Sequence, residues 1–357
     1  MPPITLAVVN ALQVKLPGGP KRPLPKRGTE NVKAHEFCLK GRFHLFRMTQ
    51  TGIETGVRYL ERAIEADPGY ALAHVGLAHA YRMFGLSLEA PPGDVAQKSK
   101  MAALRALEID DTLAEAHAVL AFTEFWYEWN WAEASAHFAA ALRLNPASSD
   151  TLWMYAHLPS TMGRHADALA AIARAREQDP LSGLIHAMEG QFLFYAGRVD
   201  DAIARLAESA RAGSAVAAGH LFAARAHIAK GQFIDSVAEA RAARALTPSN
   251  TQALAFEAFA HGRLGDRTDA EALLELLLRL SDERYVPPYH LAMACHAIDA
   301  RADAFGWLER GLEVRDPMMV FLATDPKWRD LHADLRFTDV LARMQLDPSK
   351  AVEGDTR

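Results

Sequence analysis

Two short stretches bring together side chains that could bind a metal ion. In "HEFC", His35 and Cys38 are three residues apart, a spacing that places both on one face of a helix. Even with His44 beyond them, they fall short of the four ligands of a structural zinc site. Cys295 and His296 are adjacent and therefore point in different directions on a helix. The sequence thus predicts no metal site, and no other cofactor is expected.

Sequence motifs of enzymes are also missing. The chain contains no GxxxxGK phosphate loop, no HExxH and no CxxC motif. Histidine is frequent, but His74, His117, His186 and His220 recur at one position of a repeat described below, which indicates packing rather than catalysis. We therefore predict a protein that is not an enzyme.

Tryptophan is concentrated in one stretch, "FTEFWYEWNWAEASAHF". Trp126, Trp129 and Trp131 lie within six residues, although the chain has only six tryptophans. Clustered tryptophan is found in ligand cages, in membrane anchors and in packed cores. Which of these three interpretations applies depends on the helices that carry the tryptophans.

A repeat of 34 residues organises the chain. Gly163, Gly197, Gly231 and Gly265 are spaced by this interval, and so are Ala134, Ala168, Ala202, Ser236 and Ala270. Within one period, a helical pattern ends at glycine and a second one ends before a proline, as at Pro180. Glycine tolerates the positive φ of a turn between helices, and proline cannot continue a helix interior. The unit is therefore an antiparallel helix pair whose small residues mark the closest approach of the two helices.

These features resemble the tetratricopeptide repeat (TPR), which has 34 residues, small central residues and a terminal proline. "YALAHVGLAHAYRMFG" carries Leu77, Ala78 and Tyr81 at the signature spacing of a first helix. The resemblance implies an all-α, right-handed superhelix of about eight helix pairs plus a C-terminal capping helix. The expected division is an N-terminal helix and basic linker (1–30), the superhelix (31–317), the cap (318–346) and a disordered tail (347–357).

A closer resemblance concerns bacterial signalling proteins. "TENVKAHEFCLKGRFHL", "YEWNWAEASAHF" and "MVFLATDPKWRDLHADLRFTDVLARMQL" occur here in the order of their C-terminal TPR region. In that family the N-terminal effector is a winged-helix domain, a class III cyclase or a Ser/Thr kinase. This chain resembles the repeat half alone, either as a stand-alone relative or as a fragment.

The tryptophans can now be assigned to positions in the repeat. Asn130 is a suitable N-cap for a second helix, and Glu133 completes a capping-box pattern. Trp129 and Trp131 beside this cap are predicted to be structural. Trp126 lies on the last turn of the preceding first helix, on the side that lines the concave surface of a TPR superhelix.

The concave surface is the candidate binding site. Carried over from the repeat pattern, its residues are His79, Arg82, Phe122, Trp126, Trp153, His157, Gln191, Phe194, Tyr195, Phe222, Arg225, Phe259 and Arg263. Aromatic residues and arginine are enriched at the hot spots of protein interfaces. Packing between neighbouring units is the competing interpretation for any single ring. We expect Trp126 to be partly exposed beside Phe122 and Trp153.

Two functions stay open at this point. The first is a non-catalytic scaffold that binds a protein or peptide segment with apolar anchors. The second is the sensor or oligomerisation half of a signalling protein, for which a homo-oligomer is an open alternative. The net charge of −5 argues against nucleic acid as a partner. No apolar run is long enough to span a bilayer, and the expected location is the cytoplasm, with the periplasm as the alternative.

Overall fold

Helices make up all the regular secondary structure that the computed structural model of the chain describes, namely residues 28–46, 50–87, 90–213 and 216–346. The predicted N-terminal helix lies outside these ranges, as do most of the basic linker and the tail. The first eight α-helices are α1 (Val32–Phe46), α2 (Gln50–Ala66), α3 (Ala71–Ser87), α4 (Pro92–Ile109), α5 (Ala114–Thr123), α6 (Trp131–Leu144), α7 (Ser149–Thr161) and α8 (His165–Gln178). A π-helical turn (Glu124–Glu128) extends α5.

The second half of the molecule continues in the same way. Its helices are α9 (Gly183–Tyr195), α10 (Val199–Arg211), α11 (Ala217–Ala229), α12 (Phe233–Leu246), α13 (Thr251–Leu264), α14 (Arg267–Glu283), α15 (Pro288–Ala297), α16 (Arg301–Val314) and α17 (Leu335–Arg343). Two 3₁₀ turns, Pro317–Phe321 and Pro326–Leu331, lie between α16 and α17. The first sixteen α-helices form eight pairs, so the predicted all-α repeat architecture is confirmed.

The second helix of each regular pair packs on its first helix through the small residues of the repeat. Ala134, Ala168, Ala202, Ser236 and Ala270 are all between 0% and 1% exposed. A larger side chain at these positions would overpack the contact between the two helices. The repeat of small residues therefore sets the close spacing within each pair.

A left-handed residue ends the first helix of these pairs. Gly163, Gly197, Gly231 and Gly265 have φ between 69° and 85°. Trp129 and Asp299 stand 34 residues before and after this series, and they adopt φ of 55° and 60°. The turn geometry is thus kept even where the residue is not glycine, because the following helix must reverse direction at the same point.

The chain ends by returning across earlier pairs. The Nε1 of Trp131 on α6 donates a hydrogen bond to the carbonyl oxygen of Met344 at 3.2 Å, over a sequence separation of 213 residues. Arg343 on α17 forms an ion pair with Glu309 on α16 at 2.7 Å. One large core extends from α4 and the third helix pair to the eighth pair and the C-terminal residues. A separate core lies within the first two pairs.

None of the described helices is both long enough and apolar enough to cross a membrane.

Candidate partner-binding surface

The residues predicted to line the concave surface all lie on the first helices of their pairs. They are His79 and Arg82 on α3, Phe122 on α5, Trp126 on the π-helical turn, Trp153 and His157 on α7, Gln191, Phe194 and Tyr195 on α9, Phe222 and Arg225 on α11, and Phe259 and Arg263 on α13. Their side chains contact one another from helix to helix. The guanidinium carbon of Arg82 lies 5.1 Å from the ring centroid of Phe122, and the Trp126 and His157 rings lie 5.0 Å apart.

The prediction that Trp126 is partly exposed is wrong. Trp126 and Trp153 are each only 4% exposed, and Phe122 is 1% exposed. His79 and Phe222 are half-buried, and Arg263 is exposed. The remaining members of the predicted set are buried as well: Arg82, His157, Gln191, Phe194, Tyr195, Arg225 and Phe259.

The chain itself covers the middle of the concave surface. Residues 317–331, here called the C-terminal segment, lie between α16 and α17 and are mostly buried, with Arg329 and Asp330 exposed. The ring of Phe321 lies parallel to that of Tyr195 at 5.3 Å and edge-on to that of Trp126 at 5.5 Å. Phe321 is 5% exposed, so its ring occupies the position predicted for an apolar anchor of a partner.

Arg225 binds the same segment through its charge. The guanidinium carbon lies 5.0 Å from the ring centroid of Phe321, and Nη1 donates a hydrogen bond to the hydroxyl of Tyr195 at 2.5 Å. Its Nε is 3.3 Å from Oδ2 of Asp325, an ion pair without the alignment of a hydrogen bond. Lys327 pairs with the same carboxylate. Two cations and one anion are thus buried together between α11 and the C-terminal segment.

The last helix pair holds the other end of the segment. Trp328 donates a hydrogen bond from Nε1 to the hydroxyl of Tyr289 at 2.9 Å, and its ring stacks on His296 at 5.3 Å. The Nε2 of His296 lies 3.1 Å from Oδ1 of Asp330, which also pairs with Arg263 at 3.6 Å. Arg263 is therefore paired with Asp330 of the C-terminal segment at this end of the surface.

Comparison with solved structures identifies the fold. No model of a protein family matches the chain. Human IFIT1, solved as a dimer with PPP-AAAA, superposes with a TM-score of 0.55 at 17% identity, covering 79% of this chain and 73% of that chain. Yeast Tom70 superposes with a TM-score of 0.53 at 14% identity, covering 94% of this chain and 75% of that chain. Both neighbours are TPR proteins. The chain has the TPR fold.

One curated protein is similar in sequence over a short region. Putative adenylate cyclase 3 of Rhizobium meliloti (strain 1021) is 32% identical over 75 residues. The match covers 21% of this chain and 13% of the cyclase, so this similarity concerns a small part of that protein.

The N-terminal end of the TPR concave surface carries a second buried arginine, Arg82. It lies against the rings of Phe122 and Trp153, at 5.1 and 5.8 Å, and its Nη2 is 3.1 Å from Nε2 of His79. Its Nε and Nη1 have no hydrogen-bond partner among the described residues. Burial lowers the pKa of Arg82, and the charge of Asp150 raises it in part.

Burial shifts the pKa of several other groups on this surface. It lowers the pKa of His157 to about 3, and the charge of Arg225 adds to the effect. It lowers the pKa of Lys327 to about 8, although the paired Asp325 opposes the shift. It raises the pKa of Asp316, which precedes the C-terminal segment, to about 6, while hydrogen bonds from the backbone N–H groups of Tyr289 and Met318 act in the opposite direction. His157 is therefore neutral at neutral pH.

The tryptophan loop beside the concave surface is structural, as predicted. The side chain of Asn130 accepts a hydrogen bond from the backbone N–H of Glu133 at 3.3 Å, which confirms the N-cap. Trp129 is 5% exposed and lies under the guanidinium of Arg315 at 4.5 Å. Trp131 holds the C-terminal residues through the bond to Met344 already described.

The "HEFC" pair has partners of its own. The Nδ1 of His35 lies 3.2 Å from the hydroxyl of Tyr70, and Cys38 is 2% exposed with its pKa raised by burial. In the described part of the chain, no three side chains of the metal-ligating types converge.

Sequence reasoning assigned Phe321 and Trp328 to an end cap and missed Asp325 and Lys327 altogether. One signal was present, because Asp325 stands before proline in "DP", a pattern that also occurs at Asp316. Both aspartates cap the 3₁₀ turns that follow them, at Lys327 N–H and Met318 N–H respectively. The same dipeptide also begins ordinary turns between helices elsewhere in the chain, so it does not predict which surface a segment covers.

Proposed function

We propose that this chain is a non-catalytic scaffold that binds a segment of a partner protein on its concave surface. The observation that carries the proposal is the placement of residues 317–331, which lie along that surface with Phe321 among aromatic rings and Asp325 beside Arg225. The surface therefore has the chemistry to hold an irregular segment that presents an apolar anchor and a carboxylate. Recognition of a peptide through a few anchors in a preformed groove is a recurrent mode of binding.

The partner and the C-terminal segment compete for the middle of the surface in this proposal. Because Phe321 and Trp328 are buried, the partner must replace their contacts, and only the fraction of molecules with the segment released can bind there. A partner is expected to begin at the half-buried His79 and advance towards Trp126. IFIT1 was solved with PPP-AAAA, but the net charge of −5 favours a protein ligand here.

Site-specific photo-crosslinking tests the proposal. A photoreactive amino acid replaces His79 on the concave surface in one variant, and the exposed Met101 on α4 in the matched control. The partner is then purified, and its affinity is compared between the native chain and Phe321→Ala. We expect crosslinks at position 79 only and tighter binding by Phe321→Ala, because the variant releases the competing segment. Crosslinks at position 101 only, or weaker binding by Phe321→Ala, would contradict the proposal.

A second candidate function rests on the similarity to the putative adenylate cyclase. In this alternative the chain is the regulatory half of a signalling protein and controls an effector such as a cyclase. The reading frames around its coding region supply the first test, since an effector domain encoded there favours this alternative. The second test measures the activity of that effector with and without the purified chain. An unchanged activity would remove the alternative.

A further inference from the structure

Two buried arginines of the concave surface stand in similar surroundings but differ in one respect. Arg225 lies against the rings of Tyr195 and Phe321 and faces the carboxylate of Asp325. Arg82 likewise lies against two aromatic rings, Phe122 and Trp153. None of the ion pairs formed by the described residues includes Arg82.

An arginine in this state is expensive to keep buried. Arg82 is 4% exposed, and its Nε and Nη1 donate to no acceptor among the described residues. A buried charge without a hydrogen-bonded counter-ion is strongly disfavoured, and buried polar groups are normally satisfied. The contacts with two ring faces compensate only in part. His79 does not supply the missing counter-ion, because an imidazole is never negatively charged; burial and the neighbouring Arg82 and Arg42 lower its pKa.

Among the described residues, the carboxylate whose charge acts on Arg82 is that of Asp150. Its charge acts on Arg82 through space, but its Oδ1 accepts a hydrogen bond from Trp153 Nε1 at 3.2 Å, and its side chain is exposed. Asp150 therefore holds the indole that forms one wall of the site, while two N–H groups of Arg82 have no acceptor among the described residues. We infer that a ligand approaches past His79, the half-buried neighbour of Arg82.

We propose that Arg82, Phe122 and Trp153, here called the arginine site, bind a carboxylate of an acidic side chain in the partner's segment, next to an apolar or aromatic residue. The guanidinium would donate a charge-assisted hydrogen bond from Nε–H or Nη1–H to one carboxylate oxygen, while its planar face stays against the two rings, an arrangement that arginine offers and lysine does not. The Arg225 site supplies the model for this recognition, since there the chain itself provides a carboxylate and, four residues earlier, an aromatic ring. The inference rests on the proposed function and deepens it by naming the chemistry of the partner.

Calorimetric titration of the full chain with a synthetic peptide tests the inference. The peptide is acetyl-VFLATDPKW-amide, residues 320–328, which carries the ring and the carboxylate that fill the Arg225 site. Its matched control has asparagine in place of the aspartate. We expect the peptide to bind the native chain, and both the asparagine peptide and Arg82→Met to bind at least tenfold more weakly. Arg105→Met, on an exposed residue of α4 paired with Glu108, is expected to bind like the native chain.

Thermal melts of the same variants separate a binding role from a structural one. Arg82→Met removes an uncompensated buried charge, so its melting temperature is expected to equal or exceed that of the native chain. Arg225→Met removes the hydrogen bond to Tyr195, one of the two cations paired with Asp325 and the contact with the Phe321 ring, so it is expected to melt lower by about 5 °C or more. A drop of similar size in Arg82→Met would overturn the inference, since it would mean that Arg82 is a structural counter-ion. Arg82→Lys provides a second variant that keeps the charge, and its peptide affinity is expected to fall as well.

Three other results would also overturn the inference about the arginine site. The first is equal peptide binding by Arg82→Met and the native chain, which would place the peptide at the Arg225 site by exchange with residues 317–331. The second is equal affinity for the aspartate and asparagine peptides. The third is Arg82-dependent binding of sodium acetate with an affinity equal to that of the peptide, which would indicate a site for a free carboxylate. All three leave the proposed function standing, because that proposal is tested by crosslinking at position 79 and by Phe321→Ala.

Discussion

Replacing Phe321 by alanine is the most direct test of how the concave surface is filled. The ring is 5% exposed, stacks on Tyr195 at 5.3 Å, meets Trp126 edge-on at 5.5 Å and lies 5.0 Å from the guanidinium carbon of Arg225. Truncating a buried phenylalanine to alanine costs about 3–5 kcal/mol of unfolding free energy, from lost transfer energy and the cavity left behind. We therefore expect Phe321→Ala to lose about that amount, a large fraction of a typical domain's stability of roughly 5–15 kcal/mol.

The assay is urea denaturation followed by circular dichroism, with the slope of the transition checked so that a change in midpoint reports stability. Leu335→Ala is the matched control, because Leu335 is also near the C-terminus but is 84% exposed. Its expected effect is within about 0.5 kcal/mol.

A double-mutant cycle with Trp126→Ala isolates the contact between the two rings. An aromatic pair contributes about 0.5–1.5 kcal/mol beyond its buried area, and contacting residues show coupling of this order. A loss below about 1 kcal/mol in Phe321→Ala, together with no coupling to Trp126, would refute the placement of residues 317–331 on the concave surface.

Further predictions concern the same surface. Trp126→Ala combined with Trp153→Ala is expected to lose roughly 3–5 kcal/mol per ring, because both are buried; a thermal melt close to that of the native chain would show that the rings are not core. Deleting residues 318–346 is expected to cause aggregation or a large drop in melting temperature, since the deletion uncovers the concave surface; size-exclusion chromatography and a melt measure both, and an unchanged melt would contradict the structural role. The folded pKa of His157 is about 3, below the unfolded value of about 6.5, so its contribution to stability is full above pH 6.5 and is lost as the pH falls towards 3, by up to about 1.4 kcal/mol per pH unit. His157→Phe should therefore show a shallower acid dependence in urea titrations between pH 6.5 and 4, and equal slopes would mean that His157 is not kept neutral.

The repeat pattern by itself determined the helix pairs and their turns. Residues 34 apart occupy equivalent positions in neighbouring pairs. The role inferred for Gly163 or Ala168 therefore holds for the equivalent residues of the other pairs. The same reasoning placed the N-cap at Asn130, because a capping side chain acts within one turn of its own helix. It also assigned Trp126 and Arg225 to one surface, since position in the repeat decides which side of the superhelix a residue faces.

Only the tertiary structure decided what covers that surface. Trp126 and Phe321 are 195 residues apart (321 − 126), and no periodic feature links them. A repeat pattern reports contacts between neighbouring pairs, whereas the return of the C-terminal residues over α6, α9 and α11 is a single, non-repeating event. Burial of Phe321 and the pairing of Asp325 with Arg225 depend on that return. For the same reason the sequence could assign Arg82 to the concave surface, but it could not show that Arg82 is buried with two N–H groups that lack a partner among the described residues, while Arg225 is paired.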